Sequence, residues 1–122
     1  MYRILLVEDC DMFRNSLVEV LRSHFPSARI EEASDGRTAL SRVAMVAPDV
    51  VFLDIQLPGE NGLEVAKMIK KAHSLSTIVM LTGYDLPEYR CAAREAGADY
   101  FVAKHTTSAE RIVELAAAIL RQ

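Results

Sequence analysis

Apolar residues fall in five short runs along the chain, near residues 3–7, 28–33, 50–53, 77–81 and 100–102. Val50-Val51-Phe52-Leu53 is unbroken and partly β-branched, as a strand buried on both faces requires. Ile4-Leu5-Leu6-Val7 and Ile78-Val79-Met80-Leu81 have the same character, and Tyr100-Phe101-Val102 is a shorter version. Ala28-Arg29-Ile30-Glu31-Glu32-Ala33 is the most polar run and predicts an edge strand.

Helical spacing fills the gaps. Phe13, Leu17, Val20 and Leu21 make the stripe of a first amphipathic helix. Leu40, Val43 and Ala44 make a second, stopped by Pro48. Asn61 with Glu64 predicts the start of a third, with Val65, Ala66 and Ile69 turned inward. Asp85 and Glu88, with Pro87 between them, predict the start of a fourth, and Gly97 its C-terminal cap. Thr107 and Glu110 form a capping box for a fifth, whose buried stripe is Ile112, Leu115, Ala116, Ile119 and Leu120. This strand–helix alternation predicts an α/β fold, a parallel sheet covered by helices on both faces.

Composition narrows the class. The 122 residues suffice for one core and not for two ordinary domains, so a single domain over residues 1–122 is expected. The chain stops at Arg121-Gln122, just after the fifth helix, which leaves no room for an output domain within it. A net charge of -3 argues against direct nucleic-acid binding by this domain. No run approaches the roughly 20 apolar residues that span a bilayer, and no signal peptide precedes the first strand. A cytoplasmic location without membrane contact is the expectation. Cys10 and Cys91 have no metal spacing and are expected to be small buried or half-buried residues, since the acids beside Cys10 disfavour a thiolate. His24, His73 and His105 are too scattered for zinc.

The candidate chemistry lies at the strand ends. Asp54 follows the most buried run, and Leu57-Pro58-Gly59 then breaks the chain into a loop. Open α/β sheets hold their ligands at the carboxyl ends of their strands. Glu8-Asp9, Thr82 and Lys104 follow three other runs in the same way. Each has a plainer reading: Asp54 as a turn former, Glu8-Asp9 as helix caps, Thr82 as a strand residue, Lys104 as a solvated charge. Together they make a set that can bind a divalent cation and a phosphoryl group. The chain has no G-x-x-x-x-G-K-[ST] loop, no G-x-G-x-x-G, no second acid two residues after Asp54, and no nucleophile elbow. A flavin site rests on fold alone, and the acids would repel its phosphate.

Four segments carry a resemblance. Ile4-Leu5-Leu6-Val7-Glu8-Asp9, Leu53 to Gly62, Leu81-Thr82-Gly83 and Ala96 to Lys104 resemble, in order and over the whole chain, the receiver domain of two-component response regulators. The resemblance implies a flavodoxin-like doubly wound sheet of five parallel strands in the order 2-1-3-4-5, with five helices. It implies that Asp54 accepts a phosphoryl group from a sensor histidine kinase in a Mg²⁺-dependent reaction. Lys104 and Thr82 would assist. Asp9, Asp54 and the Gln56 backbone carbonyl would hold the metal, with Glu8 acting mostly through a water. Thr82 and Phe101 would form the switch that reshapes the surface of the fourth helix, fifth strand and fifth helix. Tyr84 and Tyr89 lie near that surface. An output domain, a partner protein or a second phosphorylated copy would dock there.

On this likeness the chain is a signalling domain that catalyses only its own phosphorylation and dephosphorylation. The Lys104-His105-Thr106 segment and the fifth helix resemble receivers that precede helix-turn-helix DNA-binding domains, hence transcription regulation, and a stand-alone regulator fits equally. The alternative is an interaction module of the same fold that works without phosphorylation. Three positions depart from the common pattern. Glu8 stands where Asp is frequent, and Phe101 where Tyr is frequent. His105 stands where proline is frequent, which puts a cis bond after Lys104 in doubt. Strand alternation points Tyr100 away from Phe101.

Overall fold

In the central strand, Val50 and Phe52 point to one side of the sheet and Val51 and Leu53 to the other, and all four are buried. Continuous apolar runs therefore become interior strands here, with helices covering both faces. The computed structural model describes residues 1–121; the expected domain end at Gln122 lies outside the described residues. Five parallel strands, β1 (Arg3–Val7), β2 (Arg29–Ala33), β3 (Val50–Asp54), β4 (Thr77–Thr82) and β5 (Tyr100–Ala103), form one sheet in the order 2-1-3-4-5. The polar β2 lies at an edge, as its sequence predicts.

Helices α1 (Asp11–His24) and α5 (Ala109–Leu120) cover one face, packing Leu17, Leu21, Ile112 and Ala116 on Ile4, Leu6, Phe52 and Val79. Helices α2 (Gly36–Val46), α3 (Gly62–Ala72) and α4 (Pro87–Glu95) cover the other, packing Val43, Ile69 and Ala93 on Leu5, Leu53 and Met80. No helix among the described residues is long and apolar enough to cross a membrane.

The helix ends correct several expectations. Asn61 caps α3 as expected, accepting from the Leu63 N–H at 2.8 Å. Asp85 does not cap α4: Leu86 holds the N-cap position without a side-chain bond, and the Asp85 carboxylate is taken by Arg90 Nε at 2.7 Å. The start of α5 shifts by one residue, because Ser108 rather than Thr107 accepts the first-turn amide of Arg111. Val113 is buried where Leu115 was expected, and Leu115 is half-buried. In α2, Ala44 faces solvent; Ala39 and Val46 join Val43 in the core, and Asp35 supplies a cap to Thr38 N–H at 2.7 Å. Both cysteines are exposed, not half-buried, because Cys10 sits in the loop before α1 and Cys91 on the outer side of α4. Gly97 ends α4 as expected, with φ +101° just beyond the cap residue Ala96.

After β3 the chain makes a tight antiparallel ladder, Gln56–Leu57 against Glu60–Asn61, around Pro58 and Gly59. Gly59 has φ +67° and open space around it. Gly62 is constrained differently: a Cβ there would lie 2.1 Å from the Asp54 carbonyl oxygen and 2.7 Å from Ile55 Cα. Only glycine lets the start of α3 approach the backbone that carries Asp54 this closely. Gly62→Ala is expected to cost about 3 kcal/mol by displacing that backbone, whereas Gly59→Ala costs only about 1 kcal/mol of left-handed strain. Urea unfolding of the two variants checks this; equal shifts in midpoint would contradict it.

Candidate functional site

Parallel strands end together, so the residues after β1, β3, β4 and β5 meet at one edge. A cavity of about 420 Å³ opens there, lined by Glu8, Asp9, Asp54, Gln56, Lys104 and His105 among others. Glu8, Asp9 and Asp54 each offer a carboxylate oxygen within 4.8 Å of the others. Glu8 is 0% exposed and Asp54 4%, while Asp9 faces solvent. A larger cleft, about 570 Å³, lies between α4, β5 and α5, lined by Arg90, Phe101 and Glu114 among others.

One ammonium serves the two buried acids. Lys104 Nζ lies 2.5 Å from Glu8 Oε1 and 3.3 Å from Asp54 Oδ2. Apart from this ion pair, Glu8 Oε1 has no hydrogen-bond partner among the described residues. Burial pushes the Glu8 carboxyl above its ordinary 4.5, and Lys104 and the Cys10 N–H only partly offset this. Burial also works against the Lys104 charge, but Glu8 and Asp54 outweigh it and hold the ammonium above its ordinary 10.5. Lys104 therefore stays charged, and the unfavourable part of the arrangement falls on Glu8.

The backbone fixes the remaining positions. Asp54 Oδ1 accepts from the Gln56 N–H at 3.1 Å. The Lys104 N–H donates to the Thr82 carbonyl at 2.8 Å, tying β5 to β4 just below the site. Thr82 is 1% exposed, and its hydroxyl faces the next loop: it accepts from Tyr84 N–H at 3.0 Å and lies 3.2 Å from the Tyr84 carbonyl. Phe101 is half-buried toward α4, with the Arg90 guanidinium 4.7 Å over its ring, and Tyr100 packs on the opposite face, as alternation predicts. Tyr84 and Tyr89 stand near α4 with ring centroids 6.3 Å apart. Every described peptide bond is trans, including Lys104-His105.

A family model described as the response regulator receiver domain matches residues 4–117. The chain belongs to the response regulator receiver family. Response regulator MprA of Mycolicibacterium vanbaalenii is 35% identical over 119 residues, 98% of this chain and 51% of that protein. Sensory transduction protein LytT of Bacillus subtilis is 37% identical over 101 residues, covering 82% of this chain and 41% of its own. The chain thus spans about half the length of these relatives or less. Among solved structures, the BeF3-activated DrrB receiver domain superposes with a TM-score of 0.90 at 26% identity, over 100% of this chain and 99% of that one. The longer DrrB chain of Thermotoga maritima gives 0.88 at 26% identity, over 99% of this chain and 53% of that one.

Of the residues named from the sequence, Glu8, Asp9, Asp54, Gln56 and Lys104 line this cavity; Thr82 ends β4 with its hydroxyl on Tyr84, and Phe101 lies along β5 on the α4 side. Two neighbours on α1 escaped the sequence. Arg14 donates to the Glu8 carbonyl at 2.6 Å, to Asp11 at 2.6 Å and to Glu32 at 3.0 Å, so it clamps the acidic loop onto α1 and β2. Phe13 presents its ring to Lys104, with Nζ 4.7 Å from the centroid. Nothing in the spacing of a helix announces either contact.

Lys104→Met removes the only cation among the described residues that pairs with the Glu8 carboxylate. The loss is expected to be about 3 kcal/mol near pH 7 and much smaller near pH 4. A carboxyl whose folded pKa is raised favours the folded state in its protonated form, and that stability is lost as pH rises through the folded value; the variant raises that value further. Urea unfolding at both pH values checks this, and a loss independent of pH would contradict it.

Proposed function

We propose that this receiver domain accepts a phosphoryl group on Asp54 from the phosphohistidine of a sensor histidine kinase, with Mg²⁺ required. The observation that carries the reading is the Asp54 carboxylate itself: nearly buried, grouped with Glu8 and Asp9, and touched by Lys104. The donor set fits the ion, since three carboxylates supply the hard oxygens Mg²⁺ prefers and their mutual repulsion favours a divalent cation. Asp9 and Asp54 would hold it through carboxylates and Gln56 through its backbone carbonyl, with Glu8 acting through water. When bound, Mg²⁺ supplies neutralisation of phosphoryl oxygen charge.

The chain's own groups do the rest. An Asp54 oxygen forms the new bond to phosphorus as the bond to the donor imidazole breaks, and the imidazole leaves with the bonding pair. Lys104 follows the charge onto the transferring oxygens. Thr82 turns its hydroxyl from Tyr84 to the new phosphoryl group, which frees the Tyr84 N–H and obliges the loop before α4 to move. Phe101 then fills the space behind Thr82, a burial that contributes about 2 kcal/mol for a full side chain. The α4–β5–α5 surface, with Tyr84 and Tyr89 at its margin, changes shape and controls an output domain, a partner protein or a second phosphorylated copy. The domain catalyses only its own phosphorylation and dephosphorylation. A cytoplasmic location, one receiver domain over residues 1–122, and transcription control through an output domain belong to the same reading.

Incubation with acetyl phosphate and Mg²⁺ is expected to add one phosphoryl group to the wild type by intact mass, and none to Asp54→Ala or to wild type in chelator. Equal labelling of Asp54→Ala would move the acceptor elsewhere. A folded wild type that takes no label would favour the phosphorylation-independent interaction module. In the same samples, Asp9→Asn is expected to weaken Mg²⁺ by about tenfold or more, while Asp85→Asn, whose carboxylate serves Arg90, leaves the affinity unchanged.

A further inference from the structure

We propose that Phe13 is a positioning residue for Lys104, a neutral anchor that keeps the ammonium at the phosphoryl site while the acids around it change partners. This rests on the reading of Asp54 as phosphoacceptor. Lys104 Nζ has three close neighbours: Glu8 Oε1 at 2.5 Å, Asp54 Oδ2 at 3.3 Å, and the Phe13 ring with its centroid at 4.7 Å. The two carboxylates are also members of the acidic group with Asp9, so a bound cation competes with Lys104 for their charge. Phosphorylation turns Asp54 from a carboxylate into an acyl phosphate and removes that partner outright. The ring face attracts the ammonium through its quadrupole, and neither event alters it.

The anchor has work to do because lysine is a point charge on a flexible four-carbon stem. Lys104 follows β5 in a short turn segment, where no helix or sheet fixes its side chain. Phe13 is held from below by the cluster of α1 and α5, half-buried on the first turns of α1. It transfers the rigidity of that helix to a side chain from the far end of the sequence. A half-buried phenylalanine has a plainer role as core, and leucine would fill that role almost as well. The π face is what distinguishes the two.

The test therefore compares Phe13→Leu, which keeps an apolar side chain, with Phe13→Tyr, which keeps the ring. In protein without metal or phosphoryl donor, the Lys104 Cε–H resonances, assigned through Lys104→Arg, are expected to be displaced by the aromatic ring current in wild type and Phe13→Tyr and to return to ordinary values in Phe13→Leu. At saturating Mg²⁺, acetyl phosphate should label Phe13→Leu about fivefold more slowly than wild type, the change that about 1 kcal/mol of lost cation–π contact represents. Phe13→Tyr should be restored, and Mg²⁺ affinity should be unchanged in both. Equal rates for Leu and wild type, or slowing shared by Leu and Tyr, would overturn the assignment, as would an absent ring-current shift. A wild type that shows the shift but takes no phosphoryl group would remove the phosphoacceptor reading and this role with it, leaving the contact structural.

Discussion

Three carboxylates offer oxygens within 4.8 Å of one another, and a single ammonium, that of Lys104, touches the two that are buried. Like charges at that separation repel strongly once water is excluded, and one lysine leaves the group with net negative charge. The arrangement is therefore incomplete in electrostatic terms. Added positive charge at the acids would relieve it. The geometry around the cluster is what holds it in this unrelieved state.

That holding is done by backbone and by close approach. The Glu8 N–H is bonded to the Ala33 carbonyl at 3.0 Å and its carbonyl to Arg14, so the acidic loop is fixed from β2 and from α1. The backbone after Asp54 is pinned by the Ile55 N–H on the Leu81 carbonyl at 3.0 Å and by the Gly62 N–H on the Ile55 carbonyl at 2.7 Å. Each of these bonds resists the repulsion that would otherwise splay the acids. The side chains expected to move, Thr82 and Phe101, are held by weaker means: a hydroxyl satisfied by the backbone two residues away, and a ring lying under one guanidinium.

The fold was legible because its signals are long and redundant. Val50 to Leu53 and Ile78 to Leu81 are unbroken apolar runs, and four strand ends each carry a polar group that a packed sheet must gather at one edge. The caps were less legible because one residue decides them. Thr107 and Ser108 offer the same chemistry, and it is Ser108, with an extended backbone, that presents its oxygen to the Arg111 amide. Asp85 was read as a cap although a side-chain partner five residues on, Arg90, competes for it. The exposure of Cys10 follows from the loop before α1 standing clear of the core, which composition does not encode. Arg14 and Phe13 were invisible as site residues because their partners come from other strands and from the segment after β5.

The central claim is that the charge imbalance around Asp54 is the site's reason for existing. A crystal structure of the protein with Mg²⁺ and beryllofluoride tests it most directly. The account predicts beryllium on an Asp54 oxygen, the metal on Asp9 and Asp54, Lys104 Nζ moved onto a fluoride while still over Phe13, and the Thr82 hydroxyl turned away from Tyr84. Beryllofluoride bound elsewhere, or Lys104 still bridging Glu8 and Asp54 with Thr82 on Tyr84, would contradict it.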